Sequence, residues 1–319
     1  MKQDYFLKQL EEELVVALGC TEPVAVAYAA ALAKKQAGIG QVLSIDLKAS
    51  VNIYKNAMGV YIPGTHEMGA SMAAALGAVG GNPKLGLQVL QDLTESHIEE
   101  ARLLNAQASI KTSPAPENTP SLYIDVIVKT KNHEGRAVVA WKHDLIMELE
   151  RDGESVFSND LSHLTEMGDA ITVDDLRDIW EFAKTVDLEH LDIIRQAILL
   201  NERIAQEGLT HSYGLEVGRS IAESHHWVGK DFNRENCSLS DYCAARTAAA
   251  ADARMAGASN PVMSNSGSGN QGITATVPVS AAAQYLNSSE EALIRAETLS
   301  HLVAIHVKKR YGRLSPLCG

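Results

Sequence analysis

A thiol and a carboxylate lie two residues apart near the start of the chain, at Cys20 and Glu22. They stand at a break in the helical spacing of apolar residues over 3–36. Thr21 can cap the helix that follows, and Pro23 suits its first turn. Because the unpaired amides at a helix start favour an anion and lower the pKa of a nearby thiol, the spacing predicts a reactive cysteine beside Glu22.

A second stretch suited to chemistry is the glycine-rich segment 264–272, which leads into an apolar run beginning at Ile273. Backbone N–H groups in such a loop form a nest for a carboxylate or a phosphate. The candidate substrate-binding residues of this segment are Asn265, Ser266, Gly267, Ser268, Asn270 and Gln271. A polar interdomain loop is the alternative, but the flanking apolar helices favour a bound anion, because buried donors need partners.

The elements that would position these residues begin with a mixed N-terminal part. Residues 42–62 alternate loosely and predict strands around 52–58, and a helix rich in Ala and Gly should cover 70–81. Alternating runs at 122–128 and 137–141 predict a β-hairpin or small sheet within about 108–150.

The C-terminal part has a helical pattern throughout. The pattern begins near residue 172, and residues 244–258 are almost pure Ala. We therefore predict an α+β protein that is mainly α-helical, with a small β-sheet region in its N-terminal half and an Ala-rich helical C-terminal half. The predicted domains are 1–205 and 206–319.

Bulk composition excludes several classes of protein. The 319 residues carry a formal net charge of -12, which argues against nucleic acid as a partner, because phosphate binding needs a clustered basic surface. The charged opening segment lacks a secretory signal, and apolar runs fall short of the roughly 20 residues that a membrane span needs. We expect a cytoplasmic homo-oligomer without a membrane partner. Its cysteines should be reduced thiols or metal ligands, and they are Cys20, Cys237, Cys243 and Cys318.

The glycine-rich segment also resembles the substrate-carboxylate loop of pyridoxal-phosphate enzymes of the threonine-dehydratase type. That loop places a serine two positions before the glycine that corresponds to Gly269, where this chain has Gly267. Those enzymes also carry a Schiff-base lysine shortly upstream, and here no lysine lies between Lys230 and the loop. This alternative is the weaker one, although both interpretations use amides to hold an amino-acid carboxylate.

Four stretches of the chain form one pattern. They are residues 17–23 (Ala-Leu-Gly-Cys-Thr-Glu-Pro), 52–60 with 62–65, 264–273 (Ser-Asn-Ser-Gly-Ser-Gly-Asn-Gln-Gly-Ile) and 313–318 (Arg-Leu-Ser-Pro-Leu-Cys). Together they resemble the L-cysteine desulfidase family, which is related to the iron–sulfur L-serine dehydratase alpha chain. Their order and spacing match along the whole chain. The resemblance implies a [4Fe–4S] lyase that eliminates a β-substituent from a small amino acid. From L-cysteine it would yield pyruvate, ammonia and hydrogen sulfide.

The resemblance also implies roles for individual residues. Cys20 would be the base for the α-proton or a temporary cluster ligand, and Glu22 would orient or share that proton. Lys55 and Asn56, with the 264–272 segment, would hold the substrate carboxylate and amine. These roles require Cys20 and the 264–272 segment to converge on one pocket.

The chain departs from the family pattern at its end. Family members continue beyond the Leu-Cys pair that corresponds to Leu317 and Cys318, and further cluster cysteines lie in that continuation. Because this chain ends at Gly319, we expect a truncated serine-dehydratase-alpha-like domain in which Cys318 is the first cluster ligand. Cys237 and Cys243 should be structural. L-serine dehydratase and a catalytically inactive amino-acid-binding or scaffolding protein are the alternative functions.

Overall fold

A computed structural model describes residues 2–159, 176–227 and 236–309 of the chain. The described residues form two compact units, one of residues 18–159 and the other of 2–17, 176–227 and 236–309. This division differs from the predicted domains 1–205 and 206–319, because the N-terminal helix shares a hydrophobic core with the C-terminal helices.

The described residues contain both helices and strands, numbered here in chain order. The helices are α1 (Lys2–Glu13), α2 (Thr21–Ala37), α3 (Val51–Met58), α4 (Ala70–Gly80), α5 (Glu95–Ala106), α6 (Leu176–Thr185), α7 (Asp192–Thr210), α8 (Val217–Ser224), α9 (Leu239–Met255), α10 (Gly269–Leu286) and α11 (Glu290–Lys309). The strands are β1 (Val16–Leu18), β2 (Val42–Ala49), β3 (Tyr61–Ile62), β4 (Glu67–Met68), β5 (Ile110–Pro114), β6 (Tyr123–Thr130), β7 (Glu134–Ala140), β8 (Ile146–Arg151), β9 (Glu154–Ser158) and β10 (Pro261–Met263). Short 3₁₀ helices cover Pro83–Gln88 and Leu188–His190.

The unit of residues 18–159 is built on a six-stranded mixed sheet with the order β5-β2-β6-β7-β8-β9. Strands β2 and β5 are parallel and the other neighbours are antiparallel, including the predicted hairpin β6–β7. Helix α2 packs closely on this sheet, since a Cβ on Gly135 would stand 2.1 Å from the Ala33 carbonyl oxygen. The predicted fold class is confirmed: a mixed sheet lies in the N-terminal half and helices form the C-terminal half.

One element differs from its prediction. Residues 51–58 form the helix α3 and not a strand. Ile53 and Ala57 are its buried residues and lie four positions apart, one helical turn, while Val51 and Met58 are exposed. The alternation within residues 42–62 is that of strand β2, and the strand prediction wrongly extended it to residues 51–58, where the buried positions have helical spacing.

The second unit is a helical body with small residues at its crossings. Phe6 and Leu10 of α1 lie in one core with Phe182 and Ile294. Helix α7 approaches α9 so closely that a Cβ on Gly208 would lie 1.9 Å from the Ala249 carbonyl oxygen. Strands β1 and β10 form a two-stranded sheet that leads into the 264–272 segment. No helix in the described ranges combines the length and apolar character that crossing a membrane requires.

Candidate functional site

Cys20 occupies the N-cap position of α2, in an extended conformation with φ of -71° and ψ of 132°. The chain reaches it through Gly19, whose φ is +67°. A Cβ on Gly19 would lie 2.0 Å from Cγ of Pro63, so only glycine allows the 63–65 turn to pack this closely. The predicted helix start is confirmed, but Thr21 is not its cap, because Cys20 holds that position and Thr21 is the first helical residue.

Glu22 gathers the polar groups around Cys20. Its Oε2 accepts hydrogen bonds from the Cys20 thiol at 3.0 Å and from the Thr21 hydroxyl at 3.2 Å. Its Oε1 accepts one from Asn56 Nδ2 at 3.0 Å. Three of the predicted site residues, Cys20, Glu22 and Asn56, therefore meet in one place, and we call them the Cys20 cluster.

The Cys20 cluster is arranged for proton transfer between a thiol and a carboxylate. The thiol donates directly to one carboxylate oxygen, and the other oxygen accepts a hydrogen bond from the Asn56 amide nitrogen, which can only donate. The positive end of the α2 dipole further favours negative charge on Glu22 in the first turn. Lys55, on the same helix as Asn56, is exposed to solvent.

The 264–272 segment, the second predicted site, forms a tight turn before α10. Ser266 and Gly267 have φ values of 48° and 82°, and Ser268 caps α10 by accepting from the Gln271 amide at 3.2 Å. Asn270 Oδ1 accepts from Nη1 of Arg254 at 2.8 Å. A Cβ on Gly269 would lie 2.4 Å from Arg254 Nε, so a larger residue at this position would have to displace the guanidinium.

Asn265 ties this turn to α11. Its Nδ2 lies 3.0 Å from His301 Nδ1 and donates to the His301 carbonyl oxygen at 3.2 Å. Its Oδ1 accepts from the Ser266 hydroxyl at 2.9 Å and from Gln271 Nε2 at 3.0 Å. Four predicted site residues, Asn265, Ser266, Ser268 and Gln271, are thus joined by hydrogen bonds that build the turn itself.

His301 is buried completely and continues the network away from the turn. Its Nε2 lies 3.1 Å from the Thr276 hydroxyl, which also accepts from Asn201 Nδ2 at 2.9 Å. Burial lowers the pKa of His301 to about 4, so the imidazole is neutral at physiological pH.

A buried acid cluster lies next to His301 and consists of Glu202, Arg246, Ser280 and Glu297. Arg246 and Ser280 donate to the two carboxylate oxygens of Glu202. Glu297 is buried completely, its carboxyl oxygens have no side-chain hydrogen-bond partner within the described residues, and Oε2 lies 3.8 Å from His301 Nε2. Burial, reinforced by the Glu202 carboxylate, raises the pKa of Glu297 to about 9.

The described residues do not supply ligands for a [4Fe–4S] cluster, which is held by cysteine thiolates. Cys20 is the only cysteine of its unit, and its thiol donates to Glu22. Cys237 and Cys243 pack among aromatic side chains, and burial raises the pKa of both thiols. Cys318, the other predicted ligand, lies outside the described residues. Among the described residues, Asp187, Glu189 and His190 could together hold an ion, but all three are exposed and the group contains no cysteine.

Comparison with known proteins decides the family. Residues 84–319 match the family described as "Serine dehydratase alpha chain". The chain belongs to this family. A "UPF0597 protein" of Oleidesulfovibrio alaskensis is 47% identical over 98% of this chain and 72% of the relative. One of Aeromonas hydrophila is 42% identical over 98% of this chain and 70% of the relative. No solved structure matches the chain significantly.

The match to the serine dehydratase alpha chain family covers one of the two candidate sites. The 264–272 turn, His301 and the buried acid cluster lie within the matched residues 84–319. The Cys20 cluster precedes them and lies in the part shared with the UPF0597 relatives. The two sites belong to different compact units, so their predicted convergence on one pocket stays a prediction.

Sequence reasoning missed the polar residues that lie beneath the turn of this family member. Glu297 and His301 stand four positions apart, on the helix face that also carries the buried Ile294 and Ile305. Ionisable residues at core positions of an apolar stripe are the signal that could have identified them, because such residues are rarely buried without a partner.

Proposed function

We propose that this chain catalyses β-elimination on a small amino acid, with L-cysteine as substrate and pyruvate, ammonia and hydrogen sulfide as products. Membership of the serine dehydratase alpha chain family supports a lyase. The observation that carries the proposal is the Cys20 thiol, which lies 3.0 Å from a Glu22 oxygen at a helix start. L-serine dehydration is the second candidate, and the family name favours it.

The Cys20 cluster would perform the proton transfer that the reaction needs. Elimination breaks the Cα–H bond, whose electron pair forms the Cα–Cβ double bond, and the Cβ–S bond, whose electron pair leaves with the sulfur as hydrosulfide. Hydrosulfide takes up a proton from the solvent to give hydrogen sulfide. The aminoacrylate product then hydrolyses to pyruvate and ammonia. Cys20 with Glu22 accepts the α-proton, and Asn56 fixes the Glu22 carboxylate through Oε1. Lys55 and the residues of the 264–272 turn stay predicted substrate-binding residues.

Iron–sulfur dependence is the part of this proposal that rests on family membership. A bound [4Fe–4S] cluster would supply a Lewis acid for the departing group. Because the described residues do not provide its ligand set, we assign no reaction step to a cluster. The cytoplasmic location and the homo-oligomeric state also stay predictions.

The test is an activity assay of the full chain after anaerobic treatment with iron and sulfide. Pyruvate is measured with lactate dehydrogenase, and sulfide is measured in parallel. Cys20→Ala and Glu22→Gln should each lower kcat by about 10²–10⁴-fold, the usual contribution of acid–base catalysis. Cys243→Ser is the matched control, since within the described residues its thiol donates to the Pro278 carbonyl oxygen and not to a carboxylate, and it should keep normal activity.

The outcomes separate the candidate functions. Sulfide release from L-cysteine supports the desulfidase, and pyruvate formation from L-serine alone supports the dehydratase. Ligand binding without turnover supports an inactive amino-acid-binding protein and refutes the proposal. If activity survives iron chelation and the protein shows the absorbance of an internal aldimine, the result favours a pyridoxal-phosphate enzyme. Cys20→Ala with full activity would remove the Cys20 cluster from the reaction.

A further inference from the structure

The Asn265 side chain uses its entire hydrogen-bonding capacity within the protein. A carboxamide has two N–H donors and two acceptor lone pairs. Nδ2 faces His301 Nδ1 and the His301 carbonyl oxygen, while Oδ1 accepts from Ser266 and Gln271. Asn265 therefore shapes the 264–272 turn in this conformation and has no donor left for a substrate carboxylate.

The backbone carbonyl of His301 determines the donor and acceptor of each hydrogen bond that links Asn265, His301 and Thr276. The His301 carbonyl oxygen only accepts, so the Asn265 atom 3.2 Å from it must be the amide nitrogen. The second hydrogen of that nitrogen points to His301 Nδ1, which must then be the unprotonated ring nitrogen. The neutral imidazole consequently carries its hydrogen on Nε2, facing Thr276.

The same logic sets the direction of the Ser266 hydroxyl. If Asn265 Nδ2 faces His301, Oδ1 faces Ser266, and the single hydroxyl hydrogen of Ser266 must point at that oxygen. Only the lone pairs of Ser266 Oγ then remain for a ligand. The hydroxyl is buried, which strengthens a hydrogen bond made there to a charged group.

We propose that His301, through Asn265, makes Ser266 a hydrogen-bond acceptor that selects the ammonium group of the substrate and not its carboxylate. This inference rests on the proposed function for the identity of the ligand. His301 and Asn265 are positioning residues, and Ser266 is the residue that touches substrate.

The first test reads the histidine directly and needs no activity. A long-range ¹H–¹⁵N spectrum of protein labelled with ¹⁵N-histidine should show His301 as a neutral ring protonated on Nε2. The signal is identified by its absence from His301→Gln. If that variant does not fold, Thr276→Val identifies the signal by its shift, because it removes the partner of Nε2. A ring protonated on Nδ1, or on both nitrogens at neutral pH, overturns the proposal.

The second test compares two ligands that differ in the amine. L-serine has an ammonium group that 3-hydroxypropanoate lacks, and both carry the carboxylate and the hydroxyl. Ser266→Ala should weaken L-serine binding by about tenfold or more, the value of a charge-assisted hydrogen bond, and leave 3-hydroxypropanoate unchanged. Ser212→Ala removes an exposed hydroxyl of the same unit and should change neither affinity.

The results distinguish this inference from the proposed function. Equal weakening of both ligands by Ser266→Ala, or weakening of 3-hydroxypropanoate alone, overturns the ammonium assignment. If the unmodified protein binds neither ligand and turns over neither amino acid, the proposed function fails, and the tautomer of His301 alone decides whether Ser266 is an acceptor. Normal L-serine affinity in Ser266→Ala, with intact turnover in the unmodified protein, refutes the inference and leaves the elimination standing.

Discussion

Replacing Glu297 by glutamine should stabilise the protein, and increasingly so as the pH rises. Two carboxyl groups share the buried acid cluster, and Glu202 has the guanidinium of Arg246 as its partner. Glu297 lacks such a partner among the described residues, so it takes up a proton on folding. Glutamine has nearly the same shape and is neutral at every pH.

The expected size follows from the pKa of Glu297, which folding raises from 4.5 to about 9. For a carboxyl with a raised folded pKa, stability is complete below the unfolded pKa and is lost as the pH rises towards the folded pKa. At pH 7, two and a half units above the unfolded pKa, the protein has lost stability of ~1.4 kcal/mol for each unit, or about 3.5 kcal/mol. Glu297→Gln removes this loss.

The assay is urea unfolding of the wild type and Glu297→Gln between about pH 5.5 and about pH 8.5. A Trp141→Phe background leaves fluorescence to Trp180 and Trp227, which lie in the same unit as Glu297. The stability advantage of the variant should grow by about 1.4 kcal/mol per pH unit over this range. Glu290→Gln makes the same chemical change at an exposed site of α11 and should show no such growth.

A pH-independent difference between wild type and variant would refute this reasoning, since it would mean that Glu297 titrates alike in the folded and unfolded chains. A variant less stable than the wild type at every pH would refute it in another way. In that case the carboxylate would be ionised in the fold and paired with a protonated His301.

Two further predictions concern the same unit. Folding lowers the pKa of His301 from 6.5 to about 4, so the free energy of unfolding should fall as the pH drops from 6.5 to about 4. His301→Gln should reduce this pH dependence in urea unfolding. An unchanged pH dependence would contradict the burial argument. Gly272→Ala should cost at least about 2 kcal/mol, because the new Cβ would lie 1.9 Å from the Met263 carbonyl oxygen. Thr274→Ala, at an exposed position of the same helix, is its control, and equal stabilities of the two variants in thermal melts would show that β10 can yield.

Much of the fold was predictable because its signals are local. The break at 19–23 contains a glycine and a proline with few alternative conformations, and α2 begins there. The hairpin β6–β7 follows from alternation on both sides of a polar turn. The parallel pair β2–β5 was not predictable, since it joins Ile45 to Ile110 across an intervening run of helices and hairpin turns. Helix α3 was missed because only Ile53 and Ala57 mark its buried face.

The sequence predicted which residues belong to the candidate sites, but not which hydrogen bonds they make. Residue types identified Cys20, Glu22 and the 264–272 turn, because a thiol, a carboxylate and clustered amides are chemically conspicuous. Which donor meets which acceptor depends on Asn201, Thr276 and His301, whose partners lie 25 to 75 positions away along the chain.

The buried polar network follows from the small-residue composition that surrounds it. Glycines at the crossings bring backbones within van der Waals contact, as where Gly272 meets Met263, so side chains on neighbouring helices reach one another directly. Polar groups in such a core must satisfy each other, and each has a fixed number of donors and acceptors. Burial favours the neutral forms of His301 and Glu297, while Glu202 is paired with Arg246. Changing one member forces its neighbours to exchange a donor for an acceptor, which is why the effects of Asn265, His301 and Ser266 substitutions should be strongly non-additive.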